Sequence, residues 1–339
     1  SLQLIEILSL LFYIIIKVLS IIIPVLLSVA FLTYEERKVI SALQRRKGPN
    51  KVRFSGVLQP FADGLKLLTK ETILKNAIAS AHLFILAPFS ILVLSLLGWA
   101  VIPIGKYICT LSELQLGILY ILAVSGSSIY SLILAGWSSN SVYSFLACLR
   151  AAAQVISYEL PMGFCILTIA VCTGSLNPEV IVHKQQAVWF GLPFNILLLM
   201  FYIIMLAETN RHPFDLVEAE SELVSGYNLE YSSMLFAFFF LAEYANMLLM
   251  RSLVILLFCG GWLPILNIFP LNLIPGPIWY SLKINFLIYM DYLSRGILPR
   301  LRYDQLMRLG WKVFLPFSFA FFILISTILI ITNSLPINY

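Results

Sequence analysis

The densest cluster of ionisable side chains lies at residues 208–230 of this 339-residue chain. This acidic segment holds six of the chain's 17 acidic residues against one arginine, Arg211, and an apolar run of helix length flanks it on each side. Carboxyl groups held between two membrane spans lose water, which raises their pKa values and permits proton uptake near neutral pH. The pattern therefore predicts acid–base chemistry at a membrane boundary. The six acids are Glu208, Asp215, Glu218, Glu220, Glu222 and Glu230.

The spacing of these acids leaves two interpretations of the acidic segment. On a helix, Asp215, Glu218 and Glu222 would fall on one side, with Glu220 on the other. Like charges so close together cannot all ionise cheaply, so several of them should share protons. The alternative is a solvated acidic face that docks a basic partner. The apolar flanks argue against full solvation.

Two more carboxylates, Glu159 and Glu243, interrupt apolar runs elsewhere. A carboxylate at such depth costs several kcal/mol unless it is paired, protonated or hydrated. Small and polar neighbours, such as Gln154 beside the first and Asn246 beside the second, could admit water. We therefore favour a proton path over a purely structural pairing with a nearby Arg or Tyr. For Asp291 and Arg295, four residues apart on one helical face, the simpler prediction is an ion pair.

The composition indicates that lipid is the solvent for most of this chain. Hydrophobic residues make up 60% of it, and its mean hydropathy is +0.93. We predict an all-α, polytopic membrane helix bundle, one integral membrane domain over residues 1–339, because apolar windows of about 20 residues can each cross a bilayer. Eight windows qualify: 7–33, 82–104, 113–136, 151–173, 188–207, 231–258, 279–298 and 312–332.

The sequence contains no pattern of residues typical of a catalytic site. The three histidines and five cysteines form no paired metal-ligand motif, so we expect buried cysteines and no metal. There is neither a Gly-rich nucleotide loop after a strand nor a Ser-His-Asp order. We expect no catalytic residue here, and any redox cofactor should be carried by another chain.

Basic residues orient the predicted spans. Fifteen Lys and Arg fall in the loops after spans one, three, five and seven, against two, Lys106 and Lys184, in the opposite loops and termini. By the positive-inside rule, the loops 34–81 and 208–230 face the cytoplasm-equivalent side. Both termini then lie on the opposite side.

The first long loop, 34–81, predicts a helix lying on the membrane surface. Pro60 suits the first helical turn, Phe61 and Leu65 share an apolar face, and Asp63 and Lys66 share a polar one. Earlier in the loop, the basic run at 45–47 has two interpretations. It is either a topology signal that binds lipid headgroups, or part of a site where Arg37 and Arg46 hold a partner subunit or polarise a ligand entering from the membrane.

Several long motifs together resemble a known family. They are EERKVISALQRRKGPN, GVLQPFADGLKLLTKE, SYE at 157–159, AETNRHPFDLVEAESELVSGYNLEYSS, AEYANM and PRLRYDQLMRLGWKVFLP. Over nearly the whole chain the sequence resembles subunit 1 of respiratory complex I, the proton-pumping NADH:ubiquinone oxidoreductase, in its mitochondrial form. The resemblance implies a multi-pass protein of the mitochondrial inner membrane, whose basic loops face the matrix and whose termini face the intermembrane space.

The resemblance also implies a role within an enzyme complex. Such a subunit forms most of the tunnel through which ubiquinone, the substrate, reaches the peripheral arm, and it holds no flavin, iron–sulfur cluster or metal. The implied partners are the hydrophilic quinone-site subunits on the matrix side, small membrane subunits at its flanks and membrane lipids, without nucleic acid. The implied tunnel positions are Arg37, Arg46, Phe61, Asp63, Arg211, Asp215, Glu218, Glu220, Glu222, Arg295 and Arg300. The implied proton path runs through Glu208, Glu218, Glu220, Glu159 and Glu243.

Two other functions remain as alternatives. A stand-alone proton-coupled transporter usually shows internal repeats and helices broken at the midplane, and no repeat relates residues 1–170 to 171–339. The related subunit of a membrane-bound hydrogenase shares the ancestor but uses no quinone. The intact RRKGPN motif and the long acidic segment favour the quinone enzyme.

Overall fold

The computed structural model describes residues 2–73, 81–105, 114–215, 226–265, 271–334 and 336. Within these ranges the chain is helical and contains no strand, which confirms the all-α prediction. Short 3₁₀ turns lie at Phe54–Gly56, Gly98–Val101, Gly226–Asn228 and Leu271–Leu273. The helices are α1 Leu2–Leu43, α2 Gln59–Thr69, α3 Ala81–Leu97, α4 Gly117–Ser138, α5 Val142–Thr173, α6 Pro178–Lys184, α7 Asn195–Glu208, α8 Ser233–Phe258, α9 Gly276–Ile297, α10 Tyr303–Arg308 and α11 Leu315–Ile331.

Six helical stretches of the described residues are long and apolar enough to cross a membrane. The α10 helix continues through a π-helical turn, Leu309–Phe314, into α11, so the last three elements form one stretch. The remaining two predicted spans correspond to α7, which is shorter, and α9, which carries three charged side chains. The six are Leu11–Leu43, Ala81–Val101, Gly117–Ser138, Val142–Thr173, Ser233–Phe258 and Tyr303–Ile331.

The predicted boundary between the first span and the first loop, at residues 33 and 34, lies within a helix. Helix α1 continues to Leu43, so about the first ten residues of the predicted loop 34–81 are helical. The helix ends where Arg45 adopts a left-handed conformation, with φ of 54°. Hydropathy placed the boundary at the first charged residues, but Glu36 is buried inside the bundle, where tertiary contacts stabilise the extra turns.

The helix at the predicted span 188–207 is shorter than that span. Helix α7 begins only at Asn195 and has 14 residues. The chain before it is held in turns, where the amide of Gly191 donates a hydrogen bond to the carbonyl of Phe258, 2.8 Å away. These apolar residues cover the end of α8 instead of extending α7. By contrast, α5 begins at Val142, nine residues earlier than its predicted span.

The predicted helix in the first loop is present as α2. Its proline lies in the first turn, and Leu65 and Leu68 project from one side with 63% and 59% of their surface exposed. The same helix also contacts α1, where the ring of Phe61 meets that of Phe31 edge-on at 6.0 Å. A hydrogen-bonded ion pair between Arg37 and Asp63, at 2.7 Å, also joins the two helices.

The best-buried helices form the centre of the bundle. Most of α8 from Tyr244 onward is inaccessible, and α7 packs between it and α5. Gln154 of α5 is fully buried and donates hydrogen bonds to the carbonyls of Ala207 at 2.8 Å and Phe214 at 3.0 Å. One amide side chain therefore fixes both the end of α7 and the start of the acidic segment. The α1 and α11 helices lie at the periphery and expose most of their apolar surface.

Candidate functional site

A cavity of about 760 Å³ opens beside the basic end of α1. Its walls come from α1, the loop after it, the acidic segment, α8 and α9, so residues far apart in sequence share one surface. Thr33, Glu36, Ile40 and Gln44 recur at helical spacing and line it from α1. Ten further residues complete the lining: Arg37, Arg46, Lys47, Gly48, Pro49, His212, Phe240, Tyr244, Arg295 and Gly296.

Glu36 is the most deeply buried acid of this cavity, with 4% of its surface exposed. Its carboxylate pairs with two guanidinium groups, that of Arg295 and that of Arg211, whose Nη1 lies 3.2 Å from Oε1. The hydroxyl of Tyr244 donates a hydrogen bond to Oε2 at 2.5 Å. A buried carboxylate is tolerated only when it is paired and hydrogen-bonded in this way. Glu36 therefore ties α8, α9 and the acidic segment to α1.

Arg211 bridges this cluster to a second carboxylate. Its Nε lies 3.0 Å from Oε1 of Glu243, and its guanidinium stacks 4.3 Å from the ring centre of Tyr244. Burial alone would lower the pKa of Arg211, but the carboxylates of Glu243 and Glu36 raise that pKa well above its usual value. Arg211 therefore remains a fixed positive charge between two acids. Movement of either acid, or a change in its charge, acts on the other through it.

A second group of charges in the acidic segment surrounds Asp215. The Oδ2 atom of Asp215 lies 3.0 Å from Nδ1 of His212 and 3.5 Å from Nη2 of Arg300. His212 itself lines the large cavity, so Asp215 is positioned directly behind the cavity wall. Residues 216–225 are outside the described ranges. The predictions for Glu218, Glu220 and Glu222 therefore stay predictions.

A second, smaller cavity has a volume of about 40 Å³. Glu208 and Glu243 both line it, together with Asn246, as the polar neighbourhood of Glu243 predicted. This volume has room for at least one water molecule, which needs about 10–15 Å³. Oε2 of Glu208 is buried and has no hydrogen-bond partner among the described residues. Glu159 lies one helical turn beyond Val155, another wall residue, and its carboxylate interacts electrostatically with that of Glu208.

The predicted ion pair between Asp291 and Arg295 is wrong. Asp291 instead pairs with Nε of Arg251 on α8 at 2.5 Å and accepts a hydrogen bond from the hydroxyl of Tyr202 on α7 at 2.8 Å. Arg295 turns to Glu36. The two side chains share a helical face, but each reaches an opposite charge on another helix. A pair with a buried partner compensates lost hydration, whereas an exposed pair one turn apart contributes only a few tenths of a kcal/mol.

The structure thus brings most of the predicted site residues together. Arg37, Arg46 and Arg295 line the large cavity. Asp63 and Phe61 contact α1 next to it, and Arg211, Asp215 and Arg300 lie in the adjoining charge network. Glu208 and Glu243 line the small cavity, and Glu159 interacts electrostatically with Glu208.

Sequence reasoning missed three important members, Glu36, Tyr244 and His212. Glu36 was placed in the loop 34–81 because the predicted first span ends at residue 33. The helical recurrence of Thr33, Glu36, Ile40 and Gln44 could have revealed the shared face if the helix had been extended. Tyr244 directly follows Glu243 in the sequence, but no local pattern indicates that its hydroxyl reaches α1.

The fold and the site define a class of protein: a polytopic membrane protein with a polar cavity at its basic side and a set of carboxylates leading into the bundle. A comparison with family profiles identifies the class more narrowly, since the profile described as NADH dehydrogenase matches residues 16–326. The chain belongs to the NADH dehydrogenase family.

Similar proteins agree over almost the whole chain. NADH-ubiquinone oxidoreductase chain 1 of Chondrus crispus is 53% identical over 321 residues, covering 95% of this chain and 98% of the relative. The protein of the same name from Arabidopsis thaliana is 52% identical over 320 residues, covering 94% and 98%. A subunit of NADH-quinone oxidoreductase from Rhodospirillum centenum is 51% identical over 320 residues, covering 94% and 95%.

Proposed function

We propose that this chain is the quinone-tunnel subunit of a proton-translocating NADH:quinone oxidoreductase, with ubiquinone as its substrate. The observation that carries the proposal is the large cavity whose buried Glu36 is linked through Arg211 to Glu243. The cavity is within the usual size range of small-molecule sites, about 300–1,000 Å³. It combines apolar walls, such as Phe240 and Ile40, with a few convergent polar groups. That combination suits a ring with two carbonyl oxygens.

The charges around the cavity give each group a role. Quinone reduction takes up two electrons and two protons per molecule, and the electrons come from a partner subunit. Negative charge developing on a bound quinone would compete with Glu36 for the guanidinium of Arg295. Releasing that ion pair leaves Glu36 more dependent on Arg211, which in turn weakens the hold of Arg211 on Glu243. Two charges about 4 Å apart interact by roughly 4 kcal/mol at an effective dielectric of about 20, enough to move a proton.

Protons then follow a path through the bundle. The order in space is Glu243, the small cavity, Glu208 and Glu159. Each member lies on a different helix, so a shift of one helix end changes the spacing of the path. The acidic segment, including the undescribed Glu218, Glu220 and Glu222, links α7 to α8 and is the coupling element of this proposal.

The membrane placement follows from charge and length. We place the chain in the mitochondrial inner membrane, with α7 and α9 as the fifth and seventh of eight spans and α2 lying on the matrix surface with Leu65 and Leu68 towards lipid. Both termini face the intermembrane space. The basic cavity mouth faces the matrix, where the hydrophilic partner subunits would dock, and small membrane subunits and lipids cover the flanks. The oxidoreductase names of the relatives favour this function over the hydrogenase-type subunit and the transporter.

The path is tested by neutralising its acids in the assembled complex. Glu243→Gln and Glu159→Gln keep volume and hydrogen bonding but remove proton exchange. We expect fewer protons translocated per electron in both variants, measured with reconstituted vesicles. The matched control is Glu179→Gln in α6, a half-buried acid outside both cavities. If both path variants pump at the control ratio, the carboxylates are structural and the path is wrong.

A further inference from the structure

Gly126 on α4 lies directly against the carboxyl group of Glu159 on α5. A Cβ atom built at Gly126 would lie 2.7 Å from Oε1 of Glu159, and 3.3 Å from both its carboxyl carbon and Oε2. All three of the nearest atoms belong to that one carboxyl group. The space that any other side chain would fill is therefore occupied by the acid of the proposed path.

We infer that Gly126 is a positioning residue for Glu159: its missing side chain leaves the room in which the carboxyl group lies against α4. This inference rests on the proposed function, because it assigns Glu159 a working position in the proton path. Ser128, two residues after Gly126, lines the small cavity, and so does Val155, one turn before Glu159. Gly126 and Glu159 therefore both lie within about one helical turn of residues that line the cavity of Glu208.

A close approach of two helices would be the simpler reason for a glycine, and the surroundings argue against it. Where packing alone requires glycine, an added Cβ meets backbone or apolar atoms of the neighbouring helix. Gly136, on the same pair of helices, shows this pattern, since its Cβ would meet the side chain of Cys148 and the backbone of Ser144. At Gly126 the nearest atoms belong to the ionisable group alone.

A methyl group at position 126 would displace the carboxyl group of Glu159. Ordinary van der Waals contact needs 3.4 Å or more, so the carboxyl group would have to move by several tenths of an ångström or change rotamer. A rotamer change in a Glu side chain costs about 1 kcal/mol, which the fold can absorb. The displacement would, however, change the distance between the Glu159 carboxyl group and that of Glu208, with which it interacts. Alanine also favours a helix interior over glycine by about 1 kcal/mol, so the variant should fold.

The experiment compares two glycine-to-alanine variants in the assembled complex. Gly126→Ala should translocate fewer protons per electron while NADH oxidation with an artificial acceptor is kept. Gly163→Ala is the matched control, because Gly163 lies one turn after Glu159 on α5 and has no atom within 4 Å of an added Cβ. We expect the control to pump normally. Equal pumping by both variants, or an equal loss in both, would overturn the inference.

Rescue by a shorter acid separates positioning from general damage. Glu159→Asp withdraws the carboxyl group by one methylene, away from the added methyl group. In the double variant with Gly126→Ala, the pumping loss should be smaller than the sum of the two single losses. Additive losses would contradict the inference. The infrared band of the Glu159 carboxyl group, identified from its absence in Glu159→Gln, should shift in Gly126→Ala and stay unchanged in Gly163→Ala.

The same set of variants distinguishes the two levels of the proposal. Normal pumping by Glu159→Gln would remove Glu159 from the path, and the proposed function would fail at that point. Loss of pumping in Glu159→Gln together with normal pumping in Gly126→Ala would leave the path intact. Only the positioning role of Gly126 would then be refuted.

Discussion

Glu36→Gln should weaken the electrostatic link between the large cavity and Glu243 but leave the shape of the cavity nearly unchanged. The four side chains of Glu36, Glu243, Arg211 and Arg295 carry two negative and two positive formal charges, so the cluster is neutral. Glutamine has nearly the same shape as glutamate but no charge. The substitution leaves the cluster with a net positive charge and removes the acid that both arginines share.

The distances set the size of the effect. At 3.2 Å, the Glu36–Arg211 pair interacts by about 5 kcal/mol at an effective dielectric near 20. The pairing of Glu36 with Arg295 adds to this interaction energy. We assume that the glutamine amide and local relaxation recover two thirds of the Glu36–Arg211 interaction energy. Roughly 1.7 kcal/mol is then lost, which corresponds to more than a tenfold change in rate. The loss should fall on quinone reduction, because Arg295 and Tyr244 line the cavity beside Glu36.

The assay compares two activities of the same assembled complex. NADH:quinone reductase activity should fall at least about tenfold in Glu36→Gln, while NADH oxidation with an artificial acceptor stays at the parent level. Glu35→Gln is the matched control, since its side chain precedes Glu36 in the same helix and is exposed outside the cavity lining. Equal quinone reductase rates in the two variants would refute the role assigned to the Glu36 cluster.

Three more substitutions test other parts of the structure. Arg46→Ala should weaken quinone reduction but spare artificial-acceptor oxidation, whereas Arg45→Ala, outside the cavity lining, should change neither; loss of both activities in Arg46→Ala would argue against its placement. Arg251→Met leaves Asp291 buried without its ion-pair partner, so it should lower the stability of the complex by about 3–5 kcal/mol. Combining it with Asp291→Leu should restore most of the lost stability. A double variant as unstable as the single would contradict this. Lys283→Met removes an ammonium group that donates to three carbonyls at the end of α8, so the melting temperature should fall while quinone reduction stays normal; an unchanged melting temperature would show that water replaces it.

Much of the membrane architecture could be predicted from the sequence. Hydropathy is a sum over neighbouring residues, so six of the spans and the position of the acidic segment follow from local composition. Arg37, Arg46 and Arg295 were proposed as tunnel positions from the resemblance of long motifs, and all three line one cavity. The existence of a helix in the first loop, now α2, was predicted from Pro60 and the spacing of its apolar residues.

Helix ends were predicted less well because tertiary contacts decide them. The α1 helix continues to Leu43 since Glu36 finds two guanidinium groups inside the bundle, which no hydropathy window can register. The α7 helix starts late because the preceding residues bind to the end of α8, through the amide of Gly191. A local sum predicts where apolar residues are concentrated, but not where a buried charge is compensated.

The pairing of buried charges was decided only by the tertiary structure. Asp291 bypasses the arginine four residues away and pairs with Arg251, 40 positions earlier, while Arg211 reaches Glu36 across 175 positions. On one helix, spacing allows a contact but contributes little energy. Inside a bundle, the loss of hydration makes each charge depend on an opposite charge from a neighbouring helix. The sequence therefore determined which residues are charged within the membrane and on which side they concentrate, whereas helix packing determined which of them meet.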